Sequence, residues 1–112
     1  MEQKSNKEIR CPLEYGLEMF GGKWKSRILC TLFLKKKLRY REIKESLVDI
    51  TDPVLSKALK DLQHDGLIER EQFNEMPIRV EYKLSDKGSS IIPILIQIYT
   101  WSEEYINDSQ SN

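Results

Sequence analysis

Between Thr51 and Gly66 the chain reads TDPVLSKALKDLQHDG, and Ser56, Lys57 and Lys60 in this stretch have the types and spacing to bind a polyanion. Leu55, Ala58, Leu59 and Leu62 recur at i, i+3, i+4 and i+7, the pattern of one buried helix face. At about 100° per residue, the opposite face carries Pro53, Ser56, Lys57, Lys60 and His64. A hydroxyl and two ammoniums on one helix face suit phosphate oxygens and base edges. They supply neither an acid–base pair nor an activated nucleophile. Asp52 reads as the N-cap, Pro53 as the first helical residue and Gly66 as the stop. His64, at the helix end and away from the turns that read bases, reads as a surface residue. Ordinary solvated lysines would show the same pattern, so the flanking segments decide.

The second chemistry is thiol chemistry. Cys11 precedes Pro12 and occupies an N-cap position with Glu14 at N3, a capping-box pattern with sulfur in place of oxygen. Free N–H groups and the helix dipole there favour thiolate, and Arg10 is adjacent. A plain cap would occupy the same place. Cys30 lies among Ile28, Leu29, Leu32 and Phe33 and reads as a buried, inert small hydrophobe. Two cysteines make no secreted disulfide framework. With one histidine they make no conventional zinc site, so neither metal nor cofactor is expected. No general base or oxyanion site accompanies Cys11, which argues against a thiol enzyme.

These residues need a frame. Arg39–Leu47 (RYREIKESL) is amphipathic, with Tyr40, Ile43 and Leu47 on one side and Arg39 and Arg41 free to reach phosphates. The link Val48-Asp49-Ile50-Thr51 is the length of a helix-turn-helix turn. Leu67–Phe73 and Arg79–Leu84 read as strands, the second alternating Val80, Tyr82 and Leu84 against Arg79, Glu81 and Lys83. Asn74–Ile78 is then a hairpin tip, a wing, from which Arg79 would reach a minor groove. Upstream, 11–20 carries the stripe Leu13, Leu17, Phe20 before Gly21-Gly22. A helix over about 23–34, with Trp24, Ile28, Leu29, Leu32 and Phe33 on its apolar face, is closed by Lys35-Lys36-Lys37. Downstream, Ser85 caps a helix over 86–106 that is apolar nearly all round, from Ile91 to Ile106, with a kink expected at Pro93. One small chain cannot cover such a helix alone, which predicts a homodimer interface. Residues 1–10 read as a flexible arm, 11–106 as the domain and 107–112 as a frayed tail.

With 112 residues there is room for one domain. Lys+Arg and Asp+Glu balance at 18 each, but residues 1–40 hold ten basic against four acidic and the remainder eight against fourteen. No signal peptide and no apolar run near the ~20 residues of a membrane span are visible, so a cytoplasmic protein is expected.

With these residues in view, the chain resembles the HxlR-type winged-helix regulators of bacteria, relatives of the MarR group. The matching pieces are CPLEY at 11–15, GGKWK at 21–25, LSKALKDLQHDGLIER at 55–70 and PIRVEYKLSDKG at 77–88, with Pro93 and Trp101 in the terminal helix. The resemblance implies a homodimeric transcription factor on a two-fold DNA operator. Several members sense electrophiles or oxidants through a cysteine at the position of Cys11, and others respond to different cues. Pro53 and Lys57 give this chain its own reading face, and Cys30 inherits no role. The expectation is therefore an α+β, mostly α, winged helix-turn-helix with a two-stranded wing and terminal dimerisation helices. It would bind double-stranded DNA through Arg39, Arg41, Pro53, Ser56, Lys57, Lys60 and Arg79, as a repressor answering a small-molecule or oxidant inducer through Cys11. The competing expectation is a winged helix used only as a protein-interaction module, without direct DNA binding.

Overall fold

The computed structural model describes residues 11–110, the last four as backbone only. In chain order it comprises α1 (Pro12–Phe20), α2 (Lys25–Lys35), β1 (Lys37–Leu38), α3 (Tyr40–Ser46), α4 (Asp52–His64), β2 (Ile68–Phe73), β3 (Arg79–Leu84) and α5 (Asp86–Gln110). Residues 1–10, expected to form a flexible arm, and 111–112 of the expected tail lie outside the described residues.

α2 is the hub. It contains neither glycine nor proline, and its Ile28, Leu29 and Leu32 are fully buried against α1, α3, α4, α5 and β3. The lysine run divides after it: Lys35 ends the helix, Lys36 turns at φ 75° and Lys37 opens β1. β1 pairs antiparallel with β3, Lys37 opposite Lys83 and Leu38 opposite Tyr82. β2 pairs with the other edge of β3, from Ile68 opposite Leu84 to Phe73 opposite Arg79. The two-stranded wing is thus part of a three-stranded sheet, in the order β1-β3-β2.

α3 and α4 form the helix-turn-helix. The turn is pinned from inside by buried Leu47 and Ile50, and Ile50 N–H donates to Leu47 O at 3.2 Å. Asp49 takes φ 76°, a left-handed conformation that the short Asp side chain tolerates. Leu55, Ala58, Leu59 and Leu62 are all buried, as their spacing predicts. The helix begins one residue earlier than expected: Thr51 is the N-cap, and Asp52 and Pro53 are the first two helical residues. Thr51 has extended backbone and makes no side-chain cap bond.

Three expectations are corrected in the flanking helices. Leu13 and Leu17 of α1 are 68% and 49% exposed, so that stripe does not face the chain's own core; only Met19 and part of Phe20 do. Apolar periodicity marks a face that needs covering without saying which chain covers it. Cys11 holds the N-cap position of α1, but its sulfur makes no cap bond, in keeping with sulfur's weakness as an acceptor. α5 runs uninterrupted through Pro93 to Gln110, so residues 107–110, expected in the loose tail, continue the helix. Ile92 and Leu95 face inward, while Ile94, Ile96, Ile98, Tyr99, Trp101, Tyr105 and Ile106 face outward and are exposed.

Candidate nucleic-acid interface

The outward face of α4 presents Pro53, Lys57 and Lys60 exposed and Ser56 half-buried beside α3. Lys60 has no ion pair among the described residues. Lys57, 78% exposed, leans back on Asp61, Nζ to Oδ2 3.0 Å, with Lys25 at 4.0 Å on the same oxygen. The Lys57 hydrogen bond, and then the nearby positive charges, hold the Asp61 carboxyl below its ordinary value. An exposed i,i+4 pair of this kind is worth about 0.5 kcal/mol, so Lys57 is easily released to a phosphate or a base.

The start of α4 is fixed by residues that sequence reasoning did not count as functional. Tyr40 Oη donates to Asp52 Oδ1 at 2.8 Å, and Lys44 Nζ lies 3.1 Å from the same oxygen. The Tyr40 bond, with Lys44 beside it, holds Asp52 below its usual carboxylate range. In the sequence Tyr40 reads simply as part of the apolar stripe of α3; a Tyr where Phe would fill the same space is the available signal. On α3, Arg39 N–H donates to Glu42 Oε1 at 2.8 Å, which ties down the first turn. The Arg39 and Arg41 side chains are exposed and share a shallow polar depression with Glu42 and Glu45.

Arg79 is placed differently from expectation. Instead of projecting from the tip, its guanidinium lies between Glu75 (2.8 Å) and Glu81 (2.7 Å) and stacks 3.9 Å from the Phe73 ring centroid. Those carboxylates neutralise it, and the exposed tip presents Met76 and Ile78 around Pro77, next to Asn74 and Glu75. At the start of α2, Lys23 and Arg27 sit 4.8 and 4.7 Å from the Trp24 ring centroid, a basic cluster that the sequence shows only as an excess of charge.

Neither thiol lies on α3 or α4. Cys11 is exposed at the head of α1. Cys30 is half-buried and lines an apolar groove with Ser26, Arg27, Leu95, Ile98 and Tyr99; burial pushes its thiol up from the ordinary value. Among the described residues no group of His, Cys, Asp and Glu could hold a metal ion, and no helix is long and apolar enough to cross a membrane.

A helix-turn-helix whose outer helix presents Ser56, Lys57 and Lys60, followed directly by a hairpin, defines a winged-helix DNA-binding regulator of transcription. The chain belongs to the HxlR-like helix-turn-helix family, whose model matches residues 19–110. Cys11 and the CPLEY segment fall outside that match. The chain is 46% identical over 92 residues to the HTH-type transcriptional regulator YdzF of Bacillus subtilis, covering 82% of this chain and 84% of YdzF. The crystal structure of the HTH-type regulator ytcD superposes with a TM-score of 0.82 at 39% identity, covering 88% of this chain and 99% of that one. The redox regulator HypR in its reduced form gives a TM-score of 0.83 at 31% identity, covering 91% and 100%. HypR in its oxidised form gives 0.78 at 34%, covering 84% and 96%.

Proposed function

We propose that this regulator binds a two-fold operator as a homodimer, with α4 of each subunit in a major groove, and represses transcription from it in the cytoplasm. The carrying observation is the outer face of α4, where Ser56, Lys57 and Lys60 point away from a core-facing side buried along its whole length. Pro53, Ser56, Lys57 and Lys60 face base edges, while Arg39 and Arg41 contact phosphates from α3. Arg79 acts at one remove, bracing the wing so that its tip approaches the neighbouring minor groove. Dimerisation is supported by the exposed apolar faces of α5 and α1, and activity as an enzyme forms no part of this reading.

Footprinting on DNA upstream of its own coding region, followed by titration, tests the interface. Lys57→Ala or Lys60→Ala should weaken operator binding by roughly 1–3 kcal/mol if the residue reads a base. A phosphate-only role would instead weaken every sequence alike and lower the salt slope by about one. Unchanged affinity in the folded double variant rules this face out.

The regulator's signal is proposed to be an oxidant or electrophile acting at Cys11. Cys11 is exposed on a helix whose Leu13 and Leu17 await a partner, so modification there bears on subunit packing. HypR, a relative in fold, is itself named a redox regulator. Diamide or a quinone should modify Cys11 before Cys30, whose thiol is raised by desolvation. Cys11→Ser should bind DNA and lose the response. A disulfide between subunits needs Cα atoms within about 7 Å; beyond that, an adduct or a mixed disulfide with a small thiol is the route. Labelling of Cys30 first, or a full response in Cys11→Ser, would falsify the thiol switch.

A further inference from the structure

A serine hydroxyl has one hydrogen and two lone pairs, so Ser56 by itself could donate to or accept from any base edge. Its surroundings remove that freedom. Tyr40 Oη lies 2.8 Å from Asp52 Oδ1, 3.3 Å from Asp52 O and 3.4 Å from Ser56 Oγ. Tyr40 has a single hydrogen, and the ionised carboxylate at 2.8 Å is the strongest acceptor within its reach. Lys44, 3.1 Å from the same oxygen, keeps that carboxylate charged. Once its hydrogen is given to Asp52, the Tyr40 oxygen has only lone pairs left for Ser56. The hydrogen in the Ser56–Tyr40 contact therefore belongs to Ser56. Donation runs from Ser56 to Tyr40 to Asp52, with Lys44 donating to Asp52 from the other side.

We propose that Tyr40 is a specificity-determining residue: by taking the hydrogen of Ser56, it leaves Ser56 an acceptor toward the major groove. The face then selects, at one base pair per half-site, an exocyclic amino group, adenine N6 or cytosine N4. Guanine and thymine offer that position only acceptors, apart from the thymine methyl. This rests on α4 entering the major groove. It makes Tyr40 a positioning residue that acts through Ser56 without touching DNA.

The test uses the full chain. Wild type, Ser56→Ala and Tyr40→Phe are each selected against a random duplex library, and binding to the enriched sequence is titrated at several salt concentrations. One base pair should lose its preference in both variants, by about five- to tenfold, with an unchanged salt slope. At that pair the amino group is then deleted, adenine to purine nucleoside or cytosine to 2-pyrimidinone. The deletion should cost wild type about fivefold more than it costs Ser56→Ala. Three results overturn the proposal: an equal cost in wild type and Ser56→Ala, a full preference retained by Tyr40→Phe, or a Tyr40→Phe loss uniform across all sequences, which is mere packing. A wild type that enriches no sequence overturns the groove reading along with it.

Discussion

Ile98→Glu should convert the protein into a folded monomer that has lost most of its operator affinity. Ile98 is 46% exposed and Ile94 48%, on the flank of α5 beside Leu95 and outside the fully buried core, so a charge there leaves that core intact. In a two-fold interface the same substitution appears twice and buries an unpaired carboxylate in each subunit. Each such burial costs several kcal/mol, more than a small dimer interface can absorb. Trp101 and Tyr105 extend the same apolar surface, their rings 5.2 Å apart, so the loss is not confined to one contact. A monomer brings one α4 instead of two, and losing the second engagement should lower operator affinity by at least about 100-fold. Circular dichroism should be unchanged, and sedimentation should give 13.2 kDa in place of twice that value. A wild type already monomeric at micromolar concentration, or an Ile98→Glu variant that still dimerises, sinks the interface.

Much of this architecture can be read in the sequence because α4 and α2 are long and periodic, and α4 is bounded by Asp52-Pro53 and Gly66. The four buried residues of α4 follow from spacing alone, and so does the set of side chains on its outer face. The start of α4 moved by one because Thr51 and Asp52 are both competent caps, and local chemistry does not choose between them. β1 was missed because two residues after a lysine run carry no alternation; only pairing with β3 makes them a strand. Alternation sets Arg79 on the side of β3 opposite Tyr82, with Glu81. Its neutralisation depends on Glu75 folding back across the hairpin, a tertiary fact. Tyr40 shows the same limit. Its ring belongs to the apolar stripe, and its hydroxyl becomes informative only when α4 is packed across α3.

The largest expected loss of stability comes from Gly88→Ala, at the junction that ties the end of α4 to the start of α5. A Cβ on Gly88 would lie 2.0 Å from the carbonyl oxygen of Leu67 and 3.0 Å from its carbonyl carbon, both backbone atoms. That oxygen cannot retreat freely. It accepts the Ser85 N–H at 3.1 Å, and the Leu67 N–H is held by Leu62 O at 2.9 Å, with the Leu67 side chain fully buried. Ser85 also donates its hydroxyl hydrogen to Gly66 O at 2.5 Å and accepts from Gly88 N–H at 3.0 Å, so the end of α4 and the start of α5 are tied at the same point. Making room for one methyl group must break part of this set and tilt α5 away from α4. The expected cost is about 3 kcal/mol. For a domain of this size that is a fall in Tm on the order of 10–20 °C, measured at matched protein concentration because dimerisation also shifts Tm. Gly16→Ala is the control: it lies mid-helix in α1 with nothing within 4 Å of the new Cβ, and should gain about 0.5–1 kcal/mol. Gly88→Ala should also weaken operator binding at temperatures where it is still folded, because in the proposed dimer α4 is tied to α5 through this junction. A Gly88→Ala variant that melts with wild type and binds the operator equally well would show that the junction is neither tight nor the link between the two helices.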